Sequence, residues 1–369
     1  MSVHIRSIET AVPATVLRQS DVRDLFASQE GVSRLGSRIL GAAFDASAID
    51  TRHTVVDELD REVREGASAF YDARSNAVLN PGTAERNALY AARAPELFAD
   101  SARRALEAAS LTAEDVTHVV TVSCTGFYAP GPDYQLVRAL GLSPSTQRFH
   151  LGFMGCYGAF PGLRAAKAFC EADPDAVVLV VAVEICTIHL TSSNDPEQIV
   201  ATSVFADGGA AAVVTARAPE PGAAVLEIDA LDTTLTPEGE NEMAWTIGDH
   251  GFTMRLSTYV PAIIGQNITG ALAPLLGEAG AGGVQRWAVH PGGRSILDRV
   301  QTALELDDEQ MHPSREVLRT YGNMSSATVL FILRRLLHGG AADGERIGAM
   351  AFGPGLTVEM GLLTKRGGE

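Results

Sequence analysis

The chain has 369 residues, 46% of them hydrophobic, and a formal net charge of −16, which is enough for two ordinary core-forming units or one large α/β body and too apolar for disorder. No Lys/Arg-rich block is present, so a sequence-independent grip on nucleic-acid phosphates lacks its electrostatic source, and an anionic ligand must meet a few local arginines. The opening "MSVHIRSIETAVP" carries no long apolar signal core, and the apolar run "AVVLVVAV" (176–183) is too short to span a bilayer; the expectation is a soluble, cytoplasmic protein with no membrane partner.

In chain order, the charged region 60–90 is interrupted by "NPGTAERN" and yields no clear element. "PELFADSARRALEAAS" (95–110) has helical periodicity, "VTHVVTV" (116–122) reads as a buried strand, and "DYQLVRALG" (133–141) and "GLRAAKAFCEA" (162–172) read as helices. Strands follow at 176–183, "AAAVVT" (210–215), "RWAVH" (286–290) and "RIGAMAF" (346–352), with a helix over "SATVLFILRRLLHGG" (326–340) stopped by its Gly pair. Strands separated by helices predict a layered α/β architecture with largely parallel pairing. "RAPEPGAA" (217–224), with two prolines and a glycine, is the candidate boundary between halves. The four cysteines, Cys124, Cys156, Cys170 and Cys186, show no C-x-x-C spacing and no His arranged as a zinc site. Free thiols in a reducing compartment and no structural metal are expected.

Three stretches bear on chemistry. "GFMGCYGAFPGLR" (152–164) sets Cys156 between glycines where an Ala-rich helix begins. A thiol there feels open backbone N–H groups and the positive end of the helix dipole, both favouring thiolate; the other reading is a small core residue. "WAVHPGGRSILD" (287–298) ends an apolar strand on His290, at the edge where open α/β sheets hold ligands, although a structural histidine fits as well. "YGNMSSATVLF" (321–331) puts Asn323 ahead of a helix capped by Ser325 or Ser326, which by itself is ordinary turn chemistry. One reaction uses all three: in thioester condensation a thiolate accepts an acyl group, while an imidazole and an amide donate to a second thioester's oxygen as it becomes an enolate. A cysteine hydrolase would use the same residue types.

These stretches, with "PSREVLRTYGNMSSATVLFIL" (313–333), "AFGPGLTVEM" (351–360) and "VSCTGFYAPGPDYQLVRALGL" (122–142), resemble the signatures of type III polyketide synthases of bacterial type, the chalcone synthase-like branch of the thiolase superfamily. The resemblance implies a duplicated five-layer αβαβα thiolase-like fold with halves 1–218, bearing the cysteine, and 219–369, bearing His and Asn, usually as a homodimer. It implies Cys156 as nucleophile, His290 and Asn323 as the oxyanion and decarboxylation site, and an imidazolium–thiolate pair between His290 and Cys156. The substrates implied are acyl-CoA and malonyl-CoA, with no resident cofactor and no metal. Phe205 matches the phenylalanine at the junction of CoA tunnel and cavity, and Phe352 lies in the "AFGPG" signature. Met254 replaces a second gating Phe of the plant pattern, and Trp245 stands where that pattern has a small residue. Cys124 and Thr125 match a Thr–Ser pair, with Cys124 either a second reactive thiol or a lining residue. Cys186 and His189 match two threonines, Ser325 keeps the family serine, and Ala129 replaces a larger residue that crosses the dimer interface. Plant-type cations for CoA are missing where Ile39, Ala42 and Ala46 stand, leaving Arg38, Arg52 and Arg294 for phosphate contacts. The reading is a fatty acyl starter extended by malonyl units and cyclised to an alkylresorcinol, alkylpyrone or related aromatic. The alternatives are an initiating ketoacyl synthase, which condenses once and depends on a carrier protein, and a non-catalytic acyl-CoA-binding protein.

Overall fold

The computed structural model describes residues 2–62 and 66–368. β1 (His4–Ala11) leads to a ribbon of β2 (Thr15–Arg18) and β3 (Thr51–Thr54), which brackets α1 (Gln19–Ala27) and α2 (Arg34–Ala46); a second ribbon, β4 (Tyr71–Asp72) with β5 (Ala77–Val78), precedes α3 (Thr83–Ala108). β6 (His118–Ser123), α4 (Pro132–Leu140), β7 (Gln147–Gly152), α5 (Ala159–Ala172), β8 (Val177–Ile185), α6 (Pro196–Val204) and β9 (Asp207–Thr215) follow. Beyond the loop 216–224 come β10 (Val225–Leu235), the hairpin β11 (Met243–Gly248) and β12 (Gly251–Leu256), α7 (Val260–Leu276) and β13 (Arg286–Val289). The chain ends with α8 (Arg294–Leu304), α9 (Asp308–Tyr321), α10 (Thr328–Arg335), β14 (Arg346–Gly353) and β15 (Thr357–Arg366).

Nine strands form one sheet in the order β13-β14-β15-β10-β1-β9-β8-β6-β7, and its ladders reveal an internal duplication. From β1 outward the pairings run antiparallel to β9, antiparallel to β8, then parallel to β6. From β10 outward they run antiparallel to β15, antiparallel to β14, then parallel to β13. The two copies join where β1 pairs antiparallel with β10. Pairing is therefore mixed, with parallel ladders confined to β13–β14, β6–β7 and β6–β8, not largely parallel as expected. An apolar run reports burial on both faces but not strand direction, and the three-residue link from β14 to β15 can only reverse the chain.

Along β8, Val178, Val180 and Ala182 face one cluster, while Val177, Leu179, Val181 and Val183 face another. Alternation with a period of two, apolar on both sides, is why the strand reads as a continuous apolar run. The inner cluster joins α5 (Phe160, Leu163) and α10 (Leu330, Ile332) to strands of both halves. α3 covers one outer face through Tyr90, Ala94 and Phe98, and α7 covers the other through Ile264, Ile268 and Leu272. The layers thus run α, β, α, β, α, the thiolase-like arrangement. α3 begins at Thr83, well before the expected start at Pro95, which lies inside the helix. Buried Arg86 and Tyr90 hold that first segment, so tertiary packing overrides the proline's missing N–H. The helix expected over 326–340 is instead a 3-10 turn (Ser325–Ala327), α10, and a π-turn, and neither Ser325 nor Ser326 caps its start. α7 carries no amphipathic signature because it is apolar nearly all round. Val260–Ala279 is long and apolar enough to cross a bilayer by length and composition, but Val260, Ile264, Ile268 and Leu272 are buried in the third core cluster.

Candidate active site

The duplication places the candidate residues at related points. Cys156 precedes α5 and Asn323 precedes α10, the two helices of the central layer, while His290 directly follows β13 as Cys124 follows β6. Cys156 occupies a 3-10 turn, Gly155–Tyr157, approached through Phe153 (φ 58°) and Gly155 (φ +77°). A Cβ on Gly155 would stand 2.6 Å from Pro354 Cδ, and one on Gly158 would stand 2.8 Å from Val122 Cγ1. The glycines flanking the cysteine are therefore steric requirements of the turn.

His290 continues the β13 ladder, its N–H donating to the Met350 carbonyl at 2.8 Å. Asn323 is tied by its N–H to the Val204 carbonyl (2.8 Å) and by its carbonyl to the Ala206 N–H (2.9 Å), beside Phe205. Its Oδ1 accepts from the Ser325 N–H at 2.9 Å, which orients the Nδ2 donors to the other side. Cys156, His290, Asn323, Phe205, Met254 and Phe352 all line one cavity of about 550 Å³. The three side chains that the sequence scatters over nearly 170 positions meet there.

The electrostatics bear on the expected imidazolium–thiolate pair. Both ring nitrogens of His290 are buried without a hydrogen-bond partner, so the ring makes no hydrogen bond to the Cys156 thiol in this geometry. Burial pushes the imidazole down to about 3 and, outweighing the Ser325 hydroxyl and Asn323 carboxamide beside it, pushes the Cys156 thiol up to about 11. Desolvation disfavours either charge alone, so a thiolate here needs the imidazolium's charge beside it.

Cys124 is a hydrogen-bonding wall residue. Its thiol donates to Glu184 Oε1 at 3.3 Å and lies 3.4 Å from Ser325 Oγ, and burial followed by the Glu184 charge raises it well above the usual thiol range. Glu184, unremarked in the sequence, is fully buried and accepts from the Cys124 N–H (2.9 Å), Thr125 Oγ1 (2.8 Å) and Ser326 Oγ. Its only local signal is a lone carboxylate closing an apolar strand. His189 is a bracket: its Nε2 meets the Thr125 carbonyl at 2.7 Å and its Nδ1 accepts from the Phe252 N–H at 3.0 Å, and burial lowers it to about 3. Trp245 Nε1 donates to the Cys124 carbonyl at 2.7 Å. The indole divides the space behind Cys156 into two voids of about 10 and 20 Å³, both bordered by Cys186 and Met254; each has room for about one water.

The expected phosphate contacts separate. Arg294 lines the cavity mouth, 3.5 Å from Asp298, and Arg299, missed in the sequence, lines it too. Arg38 is exposed and outside the cavity lining. Arg52 is wholly buried, its Nη1 donating to the Thr202 and Phe205 carbonyls at 2.8 and 2.7 Å; burial forbids a contact with a solvated phosphate. Ala129 is exposed and is not among the residues lining this chain's cavity, as expected of a position that would face a partner subunit.

A five-layer thiolase-like body with a cysteine, a histidine and an asparagine on one apolar cavity defines a thioester-handling acyltransferase. Residues 2–218 match the N-terminal domain of chalcone and stilbene synthases and residues 227–366 match their C-terminal domain; the chain belongs to this family and is a type III polyketide synthase, an acyltransferase that forms C–C bonds. It is 38% identical to bisdemethoxycurcumin synthase of Oryza sativa subsp. japonica over 73% of this chain and 70% of that one. It is 35% identical to type III polyketide synthase C of Arabidopsis thaliana over 68% of each. The crystal structure of PKS-I from the brown alga Ectocarpus siliculosus superposes with a TM-score of 0.90 at 30% identity, covering 99% of this chain and 98% of that one.

Proposed function

We propose that the protein extends a fatty acyl-CoA starter with malonyl-CoA and cyclises the product to an alkylresorcinol, alkylpyrone or related aromatic. The observation that carries this reading is the opening of Cys156, His290 and Asn323 onto a single cavity of about 550 Å³ whose walls are mostly apolar. The neutral imidazole takes the thiol proton as Cys156 sulfur attacks the acyl carbonyl; the C–S bond to CoA breaks, and the departing CoA sulfur takes that proton. The imidazole, neutral again, and the Asn323 Nδ2 donate to the malonyl thioester oxygen. The C–C bond to the carboxylate breaks, CO2 leaves, and the electron pair forms an enolate. The enolate carbon attacks the acyl carbonyl, the Cys156 C–S bond breaks and its sulfur leaves as a thiolate that takes a proton from water, and the chain, now two carbons longer, remains on CoA. A histidine held neutral by burial suits the donor role, since the imidazole N–H needs no counter-charge in a dry site. The cycle needs no resident cofactor or metal.

The CoA phosphates meet Arg294 and Arg299 at the mouth. Departures from the plant pattern at Cys124, Trp245 and Met254 support assignment to the bacterial type, and four buried free thiols suit the cytoplasm. A homodimer is supported by β7, which pairs on one side only with β6 among the described residues, and by exposed Phe127, Tyr134, Phe149 and Phe153 near it. Incubation with labelled malonyl-CoA and a panel of acyl-CoAs tests the function. Cyclised products and CoA release with fatty starters are expected; a product stopped at one extension and dependent on carrier protein would favour a ketoacyl synthase instead.

A further inference from the structure

Arg52, withdrawn from the CoA contacts, has a more specific place. It stands in β3 with no solvent exposure, and its Nη1 alone holds two carbonyls at the end of α6, Thr202 at 2.8 Å and Phe205 at 2.7 Å. The peptide joining Phe205 to Ala206 is thus gripped on both sides: its carbonyl by Arg52, its N–H by the Asn323 carbonyl at 2.9 Å. Asn323 returns the contact through its N–H to Val204. Gly322, at φ +71°, lets the strands close on the guanidinium, because a Cβ there would fall 3.0 Å from the Val204 carbonyl oxygen and 3.1 Å from Arg52 Cγ. The nearby charge of opposite sign is Asp207, two residues past Phe205, whose carboxylate is fixed by the Val55 and Thr187 N–H groups at 2.8 Å each. Arg52 Nε and Nη2 are buried without partners. A buried guanidinium with unfilled donors is a weak stabiliser, since apolar replacements of buried charges are often no less stable. What it supplies is a fixed geometry for one peptide group.

We propose that Arg52 is a positioning residue for decarboxylation: by locking the 205–206 peptide it sets where the Phe205 ring and the Asn323 carboxamide stand above Cys156. The proposal rests on the reading of Asn323 as an enolate donor. Cys156 hangs from a different turn, in front of α5, and meets this chain of contacts only through the Asn323 carboxamide beside its thiol. Arg52 therefore acts on malonyl activation far more than on starter loading, whose nucleophile is held by the backbone of its own turn.

The test compares wild type with Arg52→Gln, Arg52→Lys, Asn323→Ala and the double variant Arg52→Gln/Asn323→Ala, with folded fraction matched by circular dichroism. One readout is CO2 release from malonyl-CoA; the other is acylation of Cys156 by an acyl-CoA, read by intact mass. Asn323→Ala slows CO2 release by ~10²–10³-fold. Arg52→Gln slows it by up to ~10²-fold, the cost of a misplaced group, with loading within about threefold of wild type. Lys, with a charged donor that reaches the same carbonyls, recovers part of the loss, and Arg52→Gln adds much less than its single effect once Asn323 is gone, the remainder being the part exerted through Phe205. Wild-type CO2 release in Arg52→Gln, an equal fall in both readouts, or full additivity in the double variant overturns the proposal. Should Arg52→Gln fail to fold, Arg52→Lys alone and over Asn323→Ala decides it by the same coupling. If Asn323→Ala itself releases CO2 at the wild-type rate, the reading of Asn323 fails rather than that of Arg52.

Discussion

Trp245→Ala should open the space behind the cysteine and change what the enzyme makes. The indole donates to the Cys124 carbonyl at 2.7 Å and meets His189 and Phe252 edge-on, with centroids 5.5 and 5.9 Å away. The voids it separates, about 10 and 20 Å³, admit no acyl chain. Removing the indole frees on the order of 100 Å³, which at ~24 cal/mol per Å³ of residual cavity costs about 2.4 kcal/mol. The lost hydrogen bond adds about 1 kcal/mol. The variant should therefore unfold about 3 kcal/mol more easily in urea and, in the same preparation, accept longer starters or add a further malonyl unit, as read by mass spectrometry over acyl-CoAs from acetyl to dodecanoyl. Destabilisation without any shift in product distribution would mean that the indole is only packing and that another wall sets product length.

Cys156→Ala should keep the fold and lose all acyl loading by intact mass. Loading that survived would point to Cys124, against its place as a neutral donor to Glu184. Stability should fall with acid: His189 and His290, both lowered by burial to about 3, take a proton near pH 6.5 when unfolded and not when folded. Their contribution is full above about pH 6.5 and is lost as pH drops, by about 2 kcal/mol per histidine at pH 5. Denaturant midpoints at pH 7.5 and 5 check this, with His290→Asn expected to flatten the dependence; an equal slope in that variant and wild type would refute the assignment.

How much was legible follows from what is local. Cys156 between glycines, His290 at a strand end and Asn323 before a helix are each written in a dozen adjacent residues, and β6, β8, β9, β13 and β14 announce themselves as short apolar runs, whereas β1, β7, β10 and β15, broken by polar residues, do not. Glycine at 155, 158 and 322 is dictated by contacts, yet the resemblance already preserved it as motif. Strand direction was not legible, because pairing depends on which distant runs meet. The start of α3 was hidden by Pro95, whose local penalty is outweighed by the packing of Arg86 and Tyr90. Arg52 looked like a phosphate ligand until the fold enclosed it, and Glu184 drew no notice until five side chains and backbone groups proved to converge around it.

By itself, then, the sequence determined the αβ layering, the family motifs and the identities of the three residues that meet at the cavity. Only the tertiary structure decided their desolvation, the division of the space behind Cys156 by Trp245 and the burial of Arg52. Residue type and spacing are properties of the chain, whereas desolvation and enclosed volume arise only when remote segments close around a group and exclude water from it.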